Sequence, residues 1–375
     1  MISRHMIRLE DVTKVFPGAP SPAVDHLSLD IEQGEFVALV GPSGCGKTTT
    51  LKMINRIIEP TMGRIEVDGR DALSVPPHEL RRSIGYVIQQ IGLFPHRTIA
   101  DNVAAVPRLL GWRKDRISAR VDELLDMVGM DPSTYRDRYP KELSGGQAQR
   151  VGVARALGAD PPVMLMDEPF GAIDPITRER LQNEFLRLQS ELQKTIVFVT
   201  HDIDEAIKMG DRIAILAEGG VLQQYETPAT ILAKPANAFV EDFLGEERGL
   251  KRLSLIPVKE VAADRGPVVR VGTSAADARQ IAQREGTDWV VILSEDETLL
   301  GWTFIDDLAD PIDGAAARPF ATEVNAHDSL RAALDALVGS WTGVAVRVSD
   351  GDHYEGLVTR EMLTAELRED TKSAA

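Results

Sequence analysis

Phe36-Val-Ala-Leu-Val-Gly-Pro-Ser-Gly-Cys-Gly-Lys-Thr48 is the stretch on which the fold turns. Phe36–Val40 is an unbroken apolar run between Gly34 and Gly41, the pattern of a parallel strand buried on both faces. Gly41, Gly44 and Gly46 then space out a loop, with Pro42, Ser43 and Cys45 between them, whose backbone N–H groups can curl inward around a phosphate. Lys47-Thr48-Thr49 opens a run of good helix formers with apolar residues at Leu51, Ile54 and Ile58. A helix over 47–58 is expected, adding its positive N-terminal end to the loop. Strand, glycine loop and helix are together the context in which this pattern signifies phosphate binding. Lys47 would reach the β- and γ-phosphates of a nucleotide, and the Thr48 hydroxyl would ligate magnesium. Which nucleotide is bound does not follow from the pattern. Cys45 reads as a small filler residue, since no catalytic triad surrounds it.

Working outward, the chain of 375 residues is long enough for two or three domains, with 43% hydrophobic and 27% charged residues. No apolar run approaches the roughly 18–20 residues that span a bilayer, and the N-terminus lacks a secretory pattern. With one cysteine there is no disulfide framework and no Cys-rich metal site, so a cytoplasmic setting is expected. The net charge is −16. Up to Leu250 there are 29 basic and 36 acidic residues, and beyond it 13 and 22, so the shorter C-terminal part is the more densely negative. Generic nucleic-acid binding, which needs a basic surface, is disfavoured. ATP is not, because its phosphates are held locally by backbone N–H groups, a lysine and a metal.

Before the glycine loop, Ile7–Val12 and Leu27–Ile31 alternate apolar and polar residues as strands do. After it, residues 99–158 read mainly as helix; Val121, Leu124, Leu125 and Val128 share one face, ended by Gly129. Two apolar strands follow, Val163–Met166 and Thr195–Thr200, around a helix near 176–193. Short strands at 212–216 and 221–224 and a helix near 228–232 close the unit. The alternation predicts an α/β core with a mostly parallel sheet. The strand at 163–166 would deliver Asp167 to magnesium through water, and Glu168 as a general base for an attacking water. Leu143-Ser-Gly-Gly-Gln147 opens another helix; Ser144 has capping chemistry, and Gly145 and Gly146 allow close approach. A helix N-terminus aimed outward is an anion site with no partner in its own subunit.

The order of Gly41–Thr48, Leu143–Gln147 and Val163–Glu168 resembles the ATP-binding cassette (ABC) family. The resemblance implies an α/β P-loop NTPase cassette over residues 6–245, with a mostly parallel core, antiparallel N-terminal strands and a helical subdomain at about 90–160. It implies ATP and Mg2+ as ligands and further roles by position. Gln89, with Gln90 as the competing assignment, matches the glutamine that senses γ-phosphate and magnesium. His201 in Thr200-His-Asp202 matches the switch histidine. Asp174 in Gly171-Ala-Ile-Asp174 matches the loop that crosses a dimer interface. Phe16 stands where an aromatic stacks on adenine, although many such residues are simply core. Ser144–Gln147 would act in trans on ATP at Lys47 of a second copy, giving a twofold nucleotide sandwich.

Ile84–His96 and Tyr139–Leu157 further resemble the ATPase subunits of osmoprotectant importers, for glycine betaine, carnitine, choline or proline betaine. This implies a homodimer that works with two transmembrane permease subunits and, indirectly, a solute-binding protein, at the cytoplasmic face of the membrane. An importer ATPase for a polyamine or amino acid is the alternative. A non-transport ABC ATPase is a further one, but no coiled-coil insertion or second cassette is visible. Trp112, Trp289, Trp302 and Trp341 are scattered and read as packing rather than as an aromatic cage.

Past Leu250, a strand–helix–strand–strand pattern occurs twice, from Val271 to Ile305 and from Val324 to Thr359. It resembles a tandem pair of CBS modules over 251–370, at about 251–310 and 315–370; a generic small α/β domain is the plainer reading. Gly301–Asp307 and Gly356–Met362 depart from the adenine-nucleotide pattern of such modules, misplacing Thr303 in one and putting Met362 where an acid belongs in the other. Salt sensing or dimerisation is expected there instead of AMP or ATP binding.

Overall fold

The computed structural model describes residues 5–88, 92–171 and 173–373. These divide into two compact units, one built from Met1–Ile231 with Pro235–Leu244, the other from Leu232–Lys234 with Gly245–Ala375.

The described residues of the first unit form ten strands: β1 (His5–Lys14), β2 (Val24–Glu32), β3 (Phe36–Val40), β4 (Met62–Val67), β5 (Arg70–Asp71), β6 (Ile84–Val87), β7 (Val163–Asp167), β8 (Thr195–Val199), β9 (Arg212–Ala217) and β10 (Val221–Glu226). A six-stranded sheet runs β10-β9-β3-β8-β7-β6, parallel throughout except for β10. Every residue of β3, β7 and β8 is buried. That is why these strands read as continuous apolar runs: a parallel sheet covered on both faces leaves no position for water-facing alternation. The antiparallel sheet β2-β1-β4-β5 alternates instead. One core joins the two sheets, with Ile7, Leu9, Leu27, Ile31, Leu39, Leu51, Leu165 and Val197 at its centre.

The helix after the glycine loop ends sooner than its apolar spacing predicts, spanning Lys47–Ile54. Arg56 takes a left-handed φ of 49°. Its guanidinium reaches the carbonyls of Ala72, Leu73 and Val75 at 3.2, 3.2 and 2.5 Å. These tertiary bonds outweigh the modest cost of stopping a helix of good formers. The segment from 99 to 158 contains the helices Ile99–Val103, Ala105–Leu109, Lys114–Met127, Pro132–Tyr135 and Gly145–Leu157. Buried Asn102 stitches the start of this region. It accepts from Phe94 N at 2.7 Å and donates to the carbonyls of Phe94, Arg97 and Thr98.

The second unit repeats one topology. In the first copy β11 (Val268–Arg270) pairs parallel with β12 (Trp289–Leu293) across the helix Ala275–Glu285, and β13 (Leu299–Phe304) pairs antiparallel with β12. In the second, β14 (Glu323–Val324), helix Leu330–Gly339, β15 (Ala345–Ser349) and β16 (His353–Val358) do the same. Trp289, Val291, Trp302, Val346, Val348 and Leu357 form a core shared by both copies. Trp289 and Trp302 pack as expected, and Trp112 lies under the Arg116 guanidinium, 3.5 Å from its ring centre. Trp341 does not pack: it is 89% exposed, because it follows the end of its helix in a turn. Thr303 is fully buried in β13, its hydroxyl without a partner, and Thr359 bonds to the backbone N–H of Met362. No helix of the described residues is long and apolar enough to cross a membrane.

Candidate active site

Parallel strands deliver their carboxyl ends to one edge, and β3, β8 and β7 are neighbours there. Leu39 pairs with Val199 and Val199 with Asp167, so the residues that follow emerge side by side. The loop after β3 is forced into shape by its glycines. Gly46 has φ 106°, and a Cβ on it would lie 2.3 Å from the Ala23 carbonyl oxygen. On Gly41 a Cβ would lie 2.1 Å from the oxygen of Leu216. Neither place admits a side chain. Pro42, Ser43, Gly44 and Cys45 complete the loop, and Cys45 is buried as packing.

Lys47 is only 6% exposed. Its Nζ donates to the carbonyls of Gly41 at 2.7 Å and Pro42 at 2.9 Å, and lies 3.7 Å from Cys45 Sγ. A buried ammonium needs such partners, and they hold it curled under the loop. Thr48 Oγ1 donates to Asp167 Oδ1 at 2.9 Å. Burial pushes the Asp167 carboxyl above its ordinary range, with Thr48 and then Lys52 pulling it back. A hydroxyl and a carboxylate oxygen side by side suit a magnesium ion that keeps water and phosphate oxygens as its other ligands. Among the described residues no group of three or more His, Cys, Asp or Glu could form an all-protein cage.

Glu168 follows β7 in a left-handed conformation, φ 46°, a strained backbone of the kind that re-aims a side chain at a site. Its N–H is held by the Val199 carbonyl at 3.0 Å. His201 Nδ1 lies 3.5 Å from Glu168 Oε1, with the imidazole 60% exposed. Lys47, Thr48, Asp167, Glu168 and His201 thus lie along one edge. Phe16, 37% exposed, has the Lys14 ammonium 5.2 Å from its ring centre. Gln89 and Gln90 lie outside the described residues. Thr49 stands in the first turn of the helix Lys47–Ile54.

The Leu143–Gln147 turn is a capping box. Ser144 Oγ accepts from Gln147 N at 3.3 Å, and Gln147 Oε1 accepts from Ser144 N at 2.9 Å. Gln147 Nε2 reaches the Tyr135 hydroxyl at 3.0 Å. Nothing lies within 4 Å of where a Cβ on Gly145 would sit, so the first turn faces open space, while Gly146 lets Thr177 approach. Asp174 caps the helix Pro175–Leu192, accepting from Thr177 N, a bond that holds its carboxyl below the ordinary range.

Sequence reading missed a buried triad behind His201. Glu205 accepts from Gln182 Nε2 at 2.9 Å and from the Thr200 hydroxyl, and all three residues are buried. The available signal was an acid beside Ala206 and Ile207, on a helix whose core face includes Met209.

With this geometry in place, the comparisons with known proteins decide the family. A family model described as ABC transporter matches residues 24–171. The osmoprotectant import ATP-binding protein OsmV of Salmonella typhimurium is 46% identical over 365 residues, 96% of this chain and 95% of that protein. This chain belongs to the ABC transporter ATPases. The glycine betaine/carnitine/choline transport ATP-binding protein OpuCA of Bacillus subtilis is 47% identical, again over 96% of this chain and 95% of its own length. The dimeric, post-hydrolysis structure of the cassette MJ0796 bound to ADP and Pi superposes with a TM-score of 0.54 at 36% identity, covering 60% of this chain and 99% of that one. As an ABC ATPase the chain binds and hydrolyses ATP.

The glycine constraint is directly testable. Gly46→Ala is expected to raise the Kd for ATP at least about tenfold, or ~1.4 kcal/mol. Titration with a fluorescent ATP analogue reads it; unchanged affinity would mean the loop relaxes freely.

Proposed function

We propose that this chain is the ATP-hydrolysing subunit of a bacterial importer for osmoprotectant quaternary amines such as glycine betaine, carnitine or choline. Two copies close head to tail around two ATP molecules and drive two membrane-spanning permease subunits, supplied by a solute-binding protein, from the cytoplasmic face of the membrane. The observation that carries this reading is end-to-end similarity: OsmV and OpuCA, both named for such solutes, match over 96% of the chain, second unit included. A likeness confined to the cassette would speak only for ATP hydrolysis.

The mechanism follows from the residues. ATP phosphates enter the loop Gly41–Gly46, where inward N–H groups and the helix N-terminus meet their charge. Lys47 then exchanges its loop carbonyls for phosphate oxygens. Thr48 and Asp167 would hold magnesium, which when bound neutralises charge on the β- and γ-phosphates. Glu168 orients the attacking water and accepts its proton. His201 beside it donates to the γ-phosphate, and Gln89 senses that group. Phe16 stacks on the adenine. The partner copy's Ser144–Gln147 turn supplies further N–H donors, and Asp174 crosses to the same interface. The site is then complete only in the dimer.

The test is ATP hydrolysis by the complex assembled with its permeases and binding protein. A quaternary amine should stimulate turnover and spermidine should not, and Glu168→Gln should lower the stimulated rate by ~10²-fold or more while ATP still binds. Stimulation by a polyamine or an amino acid alone would contradict the assigned solute; full turnover in Glu168→Gln would contradict the assigned base.

We further propose that the second unit is a tandem CBS domain that tunes this activity to ionic strength through its excess negative charge. Deleting residues 251–375 should flatten the salt dependence of transport-coupled turnover across the range where Debye screening changes. An unaltered salt response in the truncated protein would remove that role.

A further inference from the structure

Behind the exposed edge of the site lies the buried polar triad of Thr200, Gln182 and Glu205, which are 2%, 6% and 7% exposed. Burying a carboxylate is costly unless its oxygens are bonded, and an apolar residue would fill the same space more cheaply. Here the oxygens face uncharged donors from two different elements. Gln182 comes from the helix Pro175–Leu192, capped by Asp174. Thr200 comes from the end of β8, immediately before His201. The Thr200 hydroxyl is tied on its other side by Asp202 N at 3.0 Å. Asp202 in turn caps the helix Ile203–Met209 that carries Glu205. The turn containing His201 is therefore closed into a ring of side-chain bonds. The imidazole itself is 60% exposed, so packing does little to hold it, and the backbone of that turn fixes where it starts from.

We propose that Glu205 is a positioning residue for ATP hydrolysis, fixing the Thr200-His201 turn against the helix headed by Asp174 so that His201 stays beside Glu168. This inference rests on the role given to His201 above. Burial pushes the Glu205 carboxyl upward, opposed by the Thr200 and Gln182 bonds; Asp202 adds to the rise and Arg178 counters it. Its hydrogen bonds from Gln182 and Thr200, donors on two different elements, mark what holds it in place.

The test is a mutant cycle on the full-length protein, measuring steady-state ATP hydrolysis and, separately, ATP affinity. Glu205→Ala should lower kcat about tenfold or more, the scale of a small misplacement of a reacting group, with affinity changed by less than about twofold. Glu205→Gln should recover most of that loss: its carbonyl accepts from Thr200 while Gln182 turns its amide over to receive the new N–H. In a His201→Ala background, Glu205→Ala should change kcat by less than about twofold, because its effect passes through the histidine. Multiplicative effects of the two substitutions, or an equal loss of affinity and turnover, would overturn the proposal. Wild-type turnover in His201→Ala would instead overturn the role of the histidine, and with it anything for Glu205 to position. Should Glu205→Ala not fold, Gln182→Leu carries the same cycle: it must slow the wild type and leave His201→Ala unaffected, and equal slowing in both backgrounds counts against the proposal.

Discussion

Parallel pairing is the constraint on which this structure depends. A parallel sheet sends the carboxyl ends of its strands to a single edge, and burial of both its faces fixes which residues reach that edge. Because β3, β8 and β7 are adjacent and in register at Leu39, Val199 and Asp167, the sheet itself brings the glycine loop, the His201 turn and the acid pair to one edge. A slip of one residue along β7 would point Asp167 away from Thr48 and move Glu168 from its strained turn. The buried apolar core thus determines the chemistry at its rim.

How much of this was legible in the sequence depended on whether the signal was local. The loop from Gly41 to Thr48 was legible because Gly41, Gly46, Lys47 and Thr48 each have a physical duty that few other residues can perform, and the flanking strand and helix announce themselves by period. The repeated topology of the second unit was legible for the same reason. The end of the helix at Ile54 was not, because it is set by an arginine reaching carbonyls about twenty residues away. The hairpin of β4 and β5 escaped notice, since four of the six residues of β4 face outward or lie only partly buried. Asn102 was also invisible, and Glu205 was hinted at only by its place beside Ala206 and Ile207. A buried polar side chain looks like a solvated one until its partners, distant in sequence, are known. Trp341 shows the converse, an aromatic that composition assigns to the core and the fold leaves in water.

Two kinds of helix N-terminus serve the chemistry differently. At Lys47 the positive end is enclosed by the loop of its own chain. At Gly145 it is capped by Ser144 and Gln147 and otherwise opens outward. The first is a site in itself. Under the proposed assembly the second would meet a ligand that another copy holds, so a motif in one chain would speak about assembly. Asp174 and the helix it caps stand next to this turn through Gly146 and Thr177. The same helix reaches back through Gln182 to the turn that bears His201.

The central claim is that each catalytic site draws its two halves from two copies, and mixing two inactive variants tests it most directly. A Lys47→Ala homodimer would lack the phosphate lysine at both sites, and a Ser144→Arg homodimer would have both trans turns blocked. An equal mixture, allowed to exchange subunits, forms heterodimers in which one site is whole and the other doubly damaged. With half the dimers mixed and one of two sites intact in each, ATP hydrolysis should rise to as much as about a quarter of the wild-type rate. Hydrolysis that stays at the average of the two parents at every mixing ratio would contradict the account.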